Sequence, residues 1–371
     1  MIQHETKVLK GSYSSEDVIF LLKDLSAISL EKSTVERELA IQKGVHYSEM
    51  LPVEYKPSEE YVQLFYASLH TYKQKVATAV GTVSELIVEK KGKDIVLVSL
   101  ARAGTPIGIL IKRYIKRTYG LDAPHYSVSI IRGRGIDEQA ILHIVREHRD
   151  KRLVFIDGWT GKGAISRELT KSTHLFYEKY GIKLDDELTV LADPGYCSSL
   201  FGTREDFLIP SACLNSTVSG LVSRTVLNDQ FIDEMDFHGA KVYSELMEED
   251  VSNYYIDAIT AEFMHISDEV ERTKKELKQI NTIPTWQGLR NIETIQQTFD
   301  INDINLIKPG VGETTRVLLR RVPWRILVKD LTDRRLKHIF LLAEERGVPV
   351  EEYKKMSYTC CGLIKPMEKL S

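Results

Sequence analysis

The stretch LVFIDGWTGKGAISREL (153–169) concentrates the residues best able to do chemistry. An apolar run ends in Asp157, a Gly/Thr/Lys turn follows, and a helical pattern begins. Backbone N–H groups at a glycine-rich turn opening a helix converge on whatever binds there, and the helix dipole adds partial positive charge, so an anion is expected. Thr160, Gly161, Lys162 and Gly163 would hold it. The turn is not a nucleotide P-loop, which needs glycine where Ile156 stands and Ser or Thr where Gly163 stands. It also lacks the G-x-G-x-x-G of dinucleotide-binding folds.

Other stretches fit the same chemistry. SLARAGTPIG (99–108) follows a second apolar run, and its Arg102 could make charge-assisted hydrogen bonds to phosphate oxygens. SIIRGRGIDEQA (129–140) sets Arg132 and Arg134 among glycines, as a basic loop that could close over a leaving diphosphate and exclude water. Asp193 ends another apolar run and is a candidate contact to a base or acceptor. In 215–224, Asn215, Ser219 and Arg224 are pocket candidates, although a Ser/Thr-rich turn network explains this polar stretch equally well.

The four cysteines (Cys197, Cys213, Cys360, Cys361) show no CxxC spacing, which argues against a disulfide scaffold and a structural zinc site. No protein-held metal is expected. A cysteine hydrolase needs a thiolate with a histidine in reach. Cys213 in IPSACLN and Cys197 in DPGYCSS are the candidates, but His125, His143, His148, His174 and His238 are scattered and lack obvious orienting partners. A lone cysteine is more often a small buried hydrophobe.

These loops need a scaffold. IVLVSLA (95–101), HYSVSII (125–131), RLVFID (152–157) and LTVLAD (188–193) read as buried parallel strands separated by helical segments such as PIGILIKRYIKRTYG (106–120). That alternation predicts an α/β fold with a mostly parallel sheet, whose ligands sit beyond the carboxyl ends of the strands. Residues 1–90 read as mostly helical, with periodic stretches at 16–28 and 58–78, and form the first part of that domain; 91–240 form its core. A polar helical connector spans 241–290. A small α/β/α module spans 291–371, with ETTRVLLR helical, WRILVKD (324–330) a strand, LKHIFLLAEERG (336–347) a helix and VPVEEYK a strand.

No apolar run approaches the roughly 18 residues of a membrane span, and the N-terminus lacks an apolar signal region, so a cytoplasmic protein is expected. The net charge of −3 hides an asymmetry: residues 308–371 hold 14 Lys and Arg against 8 Asp and Glu, leaving the remainder acidic. Such a basic tail suits a surface that meets phosphates.

Jointly, VSLARAGTPIG, SIIRGRGID, IDGWTGKGAI and IPSACLNSTVSGLVSRT resemble a family known both as tellurite-resistance-associated phosphoribosyltransferases and as StiP-type cysteine proteases, over roughly residues 10–260. The phosphoribosyltransferase side of that resemblance implies a type I phosphoribosyltransferase-like sheet. Asp157 would contact ribose, Thr160 to Gly163 the 5′-phosphate, and the small residues Ala101, Ala103, Gly104 and Thr105 a diphosphate carried with Mg²⁺. Asp157, Arg102, Arg132, Arg134 and Asp193 would then serve catalysis on a phosphoribosyl substrate in a stress or tellurite-resistance pathway. The protease side implies a hydrolase with Cys213 as nucleophile; a protein that binds ligand and RNA without turnover is the third reading. KPGVGETTRVLLRR with WRILVKD and RGVPV resembles the Pelota-type RNA-binding domain, a relative of ribosomal protein L7Ae, and implies a structured RNA partner contacted through Lys308, Gly310, Gly312, Glu313, Arg316 and Arg320. Gly312 replaces the asparagine of that family's signature, which favours phosphate contact over base readout.

Overall fold

The computed structural model describes residues 8–365; 1–7 and 366–371, the ends of the first and last expected domains, lie outside them. Six strands form the central sheet: β1 (Ile19–Phe20), β2 (Ile95–Leu100), β3 (His125–Val128), β4 (Arg152–Trp159), β5 (Leu188–Ala192) and β6 (Leu200–Thr203). Their spatial order is β1-β3-β2-β4-β5-β6, and every pairing is parallel. All carboxyl ends therefore open on one edge, carrying the loops after Leu100, Val128, Trp159 and Ala192.

Alternation along each strand feeds two cores. After the short helix α1 (Thr34–Gln42), the helices α2 (Glu59–Lys91) and α3 (Gly104–Tyr119) cover Ile95, Leu97, Val154 and Ile156. Val96, Val98, Leu153 and Phe155 face α4 (Glu138–Glu147) and α5 (Ala164–Tyr180). Helices on both faces explain why the strands read as unbroken apolar runs.

Two expectations change. The stretch 16–28 is not helical: Ile19–Phe20 pairs with Tyr126 and Ser127 at the sheet edge, and Lys23–Asp24 pairs with Gly239–Ala240. Val18, Phe20, Leu21 and Leu22 are all buried, which an amphipathic surface helix would not achieve. The periodic stretch at 58–78 continues to Lys91 and stops at Gly92, whose φ of 82° suits glycine. The expected connector also packs on the helices that cover the sheet: α6 (Ser252–Thr260) lies against α2 and α3, α7 (Ser267–Lys278) against α2, and they place Tyr255, Ile256, Ile259 and Val270 in the main core.

After α8 (Gln287–Thr298) the chain builds a second sheet from β7 (Ile307–Pro309), β8 (Pro323–Val328), β9 (Val350–Glu352) and β10 (Cys360–Ile364), in order β7-β10-β8-β9. The helix α9 (Val311–Arg320) and the helix α10 (Lys337–Glu345) cover one face; Ile292 and Ile295 of α8 cover the other. The sequence reading found β8, β9, α9 and α10 but not β7 or β10. The second sheet does not stand apart, because Val311, Leu318, Ile326 and Val328 belong to the same continuous core as α2 and α3. The protein is a mixed α/β fold with a parallel central sheet, and among the described residues no helix is long and apolar enough to cross a membrane.

Candidate functional site

The turn after β4 lies where the loop reading placed it. Gly163 (φ 72°) caps α5, and its left-handed backbone lets the chain reverse beneath the helix N-terminus. A Cβ there would lie 2.4 Å from the Trp286 ring and 2.8 Å from Cys197 Sγ, so no larger residue fits. The loop after β2 meets this turn: a Cβ on Gly104 would sit 2.3 Å from the Ile156 carbonyl and 3.1 Å from Asp157 Cα.

A cleft of about 270 Å³ opens beside the turn, lined among others by Arg132, Asp157, Thr160, Lys162, Ser166 and Lys308. Its groups are electrostatically strained. Burial pushes the Asp157 carboxyl up to about 7, against a hydrogen bond from the Gly158 N–H. Burial, then repulsion from Lys308 and Arg132, lowers the Lys162 ammonium to about 8, although Nζ donates to the Ile304 carbonyl at 2.7 Å. Lys308 is lowered by burial and by Arg132 and Arg321. A carboxyl and an amine titrating near neutrality on one turn mark a functional-site candidate.

Other expected residues are engaged in the architecture. Thr160 Oγ1 donates to Asp193 Oδ1 at 2.5 Å, and the Cys197 N–H donates to the same oxygen at 2.8 Å. Asp193 is fully buried and organises the 193–198 loop. Thr105 Oγ1 is 2.7 Å from Ser127 Oγ. Arg134 pairs with Glu49 at 2.7 Å, and Arg102 donates to the Val222 carbonyl at 3.2 Å. Ser219 donates to the Asn215 carbonyl, and Arg224 donates to the carbonyls of Tyr47 and Met50. Ala101 and Ala103 flank Arg102, and the Ala103 carbonyl lies against Gly158. The structure thus brings Asp157, Arg132 and Thr160 to Gly163 into one cleft, leaving Arg134 outside it.

The positions expected to meet RNA face the central domain. Asp206 Oδ1 accepts from the Val311 N–H at 2.9 Å and Oδ2 from the Thr359 N–H at 2.7 Å, capping α9 from across the interface. Gly310 adjoins Asp206, and a Cβ on Gly312 would lie 2.9 Å from Ala212 Cβ. Arg316 donates to the Ala212 carbonyl at 2.9 Å and pairs with Glu313; Arg320 donates to the Cys213 carbonyl at 3.1 Å. Asp206, Ser166 and Trp159 were missed, and no local pattern singles them out.

The thiols are closed off. Cys197 Sγ lies 3.2 Å from the Gly195 carbonyl and 3.7 Å from that of Gly161; burial pushes its pKa up to about 12. Cys213 lies 3.7 Å from Ser68 Oγ, and burial raises it to about 11. Among the described residues no histidine hydrogen-bonds a cysteine: His125 binds Ser99 and the Asp17 carbonyl, and His238 binds Ser129.

The family described as tellurite-like stress resistance cysteine protease StiP matches residues 11–260, and the PELOTA RNA binding domain matches residues 286–366. The chain belongs to the StiP family. Among curated relatives, the cysteine protease StiP of Acinetobacter baylyi is 37% identical over 350 residues, covering 92% of this chain and 90% of that one. The histidinol-phosphate aminotransferase structure from Clostridium acetobutylicum, 12% identical over 75% of this chain and 77% of its own, has a TM-score of 0.16, too low to imply a shared fold. These findings overturn the expected phosphoribosyltransferase: the family and its relative are named as cysteine proteases, and no phosphoribosyl substrate has support. Magnesium was expected only as the companion of that diphosphate. Among the described residues no group of three or more His, Cys, Asp or Glu could hold a metal ion.

Proposed function

We propose that the protein is a thiol-dependent peptide hydrolase with Cys197 as its nucleophile, held here in a closed, resting arrangement. Membership of the StiP family, with a relative named as a cysteine protease across nine-tenths of the chain, carries the reading. Two cysteines fall within the matched region, and position favours Cys197 over Cys213. Cys197 lies beyond the carboxyl end of β5 and touches the turn that carries Asp157 and Lys162, the groups available to move a proton near neutral pH. Cys213 packs among Ser68, Tyr255 and the carbonyl-binding Arg320, away from any group titrating near neutrality.

A thiol near 12 is not a nucleophile at pH 7. The Trp286 ring lies on Gly163, and Tyr358 Oη donates to the Gly161 carbonyl at 3.0 Å, so the C-terminal segment roofs Cys197. Activation requires that roof to lift. The test is hydrolysis of a quenched peptide library by the full chain beside its Cys197→Ser and Cys213→Ser variants. Loss in the first with retention in the second supports the assignment; the reverse transfers the role to Cys213, and activity in both single variants and the double variant ends the thiol reading.

We further infer that residues 286–366 bind RNA as a Pelota-type module. With Arg316, Arg320, Arg325 and Arg335 engaged internally, the exposed bases Arg321, Lys329, Arg334 and Lys337 are its contact surface in this arrangement.

A further inference from the structure

The cleft beside Gly161–Gly163 gathers three basic side chains that form no ion pair among the described residues. Arg132 stands at its mouth, with its guanidinium 5.6 Å from the centre of the Tyr47 ring. Lys162 comes from the turn and Lys308 from β7. Among the described residues neither Arg132, Lys162 nor Lys308 forms an ion pair. Two carboxyls line the same space: Glu313 attracts Lys308 but is paired with Arg316 at 2.9 Å, and burial holds Asp157 toward its neutral form. Burial is the first cause of the downward displacement of both lysines, and repulsion from Arg132 adds to it. Like charges gathered in a recess cost free energy, and a bound anion relieves that cost.

Two further features adjoin the same space. The N-terminus of the 17-residue helix α5 opens at Gly163, and its first peptide N–H groups have no partner within the helix. Ser166, on the first turn, lines the cleft with only 8% of its surface exposed, and its hydroxyl has no hydrogen-bond partner. Other buried hydroxyls also lack partners, but among them only that of Ser166 belongs to a residue lining this cleft, where it could donate to a bound anion.

We propose that Arg132, Lys162, Lys308 and Ser166 with the α5 N-terminus form a composite binding site for a phosphate monoester dianion, completed only when the C-terminal module is docked. Three cations, a hydroxyl and backbone N–H groups match a doubly charged, tetrahedral group with several acceptor oxygens better than a carboxylate. The cleft is larger than phosphate alone, leaving room for what the phosphate is attached to. Because Lys308 comes from the second sheet and Arg132 and Lys162 from loops at the carboxyl edge of the central sheet, the bound anion would hold the two parts together. The assignment concerns binding only and does not depend on the thiol chemistry proposed above.

The test is titration of the full chain with inorganic phosphate by calorimetry at low ionic strength, repeated for Lys308→Gln, Arg132→Gln and the exposed control Arg149→Gln, at the amino-end edge of the central sheet. Saturable binding of one phosphate is expected, weakened about 10- to 100-fold by either cleft substitution and unchanged by the control, as the loss of one charge-assisted contact implies. Arg132 is exposed, so its variant keeps the test intact should Lys308→Gln perturb folding. Competition then identifies the source: a short RNA with a 5′-phosphate that displaces phosphate better than its 5′-hydroxyl twin points to an RNA end, and equal behaviour points to the small free anion. Absence of binding by about 10 mM phosphate and by both RNAs overturns the site. So does a loss in the cleft variants no greater than in Arg149→Gln.

Discussion

Replacing Asp157 with Asn should change how stability depends on pH. The carboxyl is held near 7 instead of its ordinary 3.8, chiefly because burial disfavours the charge. Its folded value lies above its unfolded one, so the folded state binds more protons through that window. Stability is therefore lost as pH rises from about 4 to 7 and is not regained above it. The full cost of ionising the group in place is about 4 kcal/mol, a ceiling because water enters the cleft it lines. Asn carries no such cost. Relative to the parent, Asp157→Asn should gain about 2–3 kcal/mol in unfolding free energy between pH 5 and pH 8, whatever constant offset the new amide introduces. Urea denaturation of both proteins at the two pH values measures the difference as a shift in midpoint at unchanged slope. If the two proteins lose stability in parallel across this range, Asp157 titrates as an ordinary surface carboxylate and the cleft is not the environment described.

Asp206→Ala removes the acceptor of the Val311 and Thr359 N–H groups, leaving buried donors unpaired, and should loosen the C-terminal module by about 2–5 kcal/mol; faster alkylation of Cys197 under mild conditions would report it. In the parent, a thiol near 12 implies that labelling of Cys197 by iodoacetamide at pH 7.5 is slower than that of a free thiol by about three powers of ten, and mass spectrometry of the labelled peptide checks this. Limited proteolysis should cut in the exposed stretch 279–285, and the fragments should co-elute because the interface persists after cleavage. RNA binding should follow a log K against log salt slope of about −3 to −4, set by four exposed bases; a slope near zero would remove phosphate contact as its basis.

The central sheet was legible because strands buried on both faces must be apolar throughout, and 95–100, 152–157 and 188–192 have few other ways to be soluble. Its edge strand Ile19–Phe20 was not, since a two-residue pairing leaves no period to detect and the same residues fit a helical template. Strand Cys360–Ile364 escaped for another reason: its place between β7 and β8 comes from partners distant in the chain. At the site, glycine spacing and the strand-to-helix transition located the turn, whereas the role of Lys308 depended on a sheet that docks on it from far along the chain.

Local chemistry, then, is what the sequence by itself determined: which turns could receive an anion, which runs had to be buried, and where positive charge accumulates. Whether a charged side chain is free or spent is a tertiary matter, because it depends on partners brought together across the chain. Arg316 and Arg320, counted among bases for RNA, are consumed by the carbonyls of Ala212 and Cys213. Arg132 and Lys308, unremarkable in sequence relative to one another, meet in one recess, and among the described residues neither forms an ion pair. The cysteines follow the same logic: a thiol's reactivity is fixed by burial and nearby charge, and only the packing of Gly163, Trp286 and Asp193 around Cys197 shows that it rests protonated.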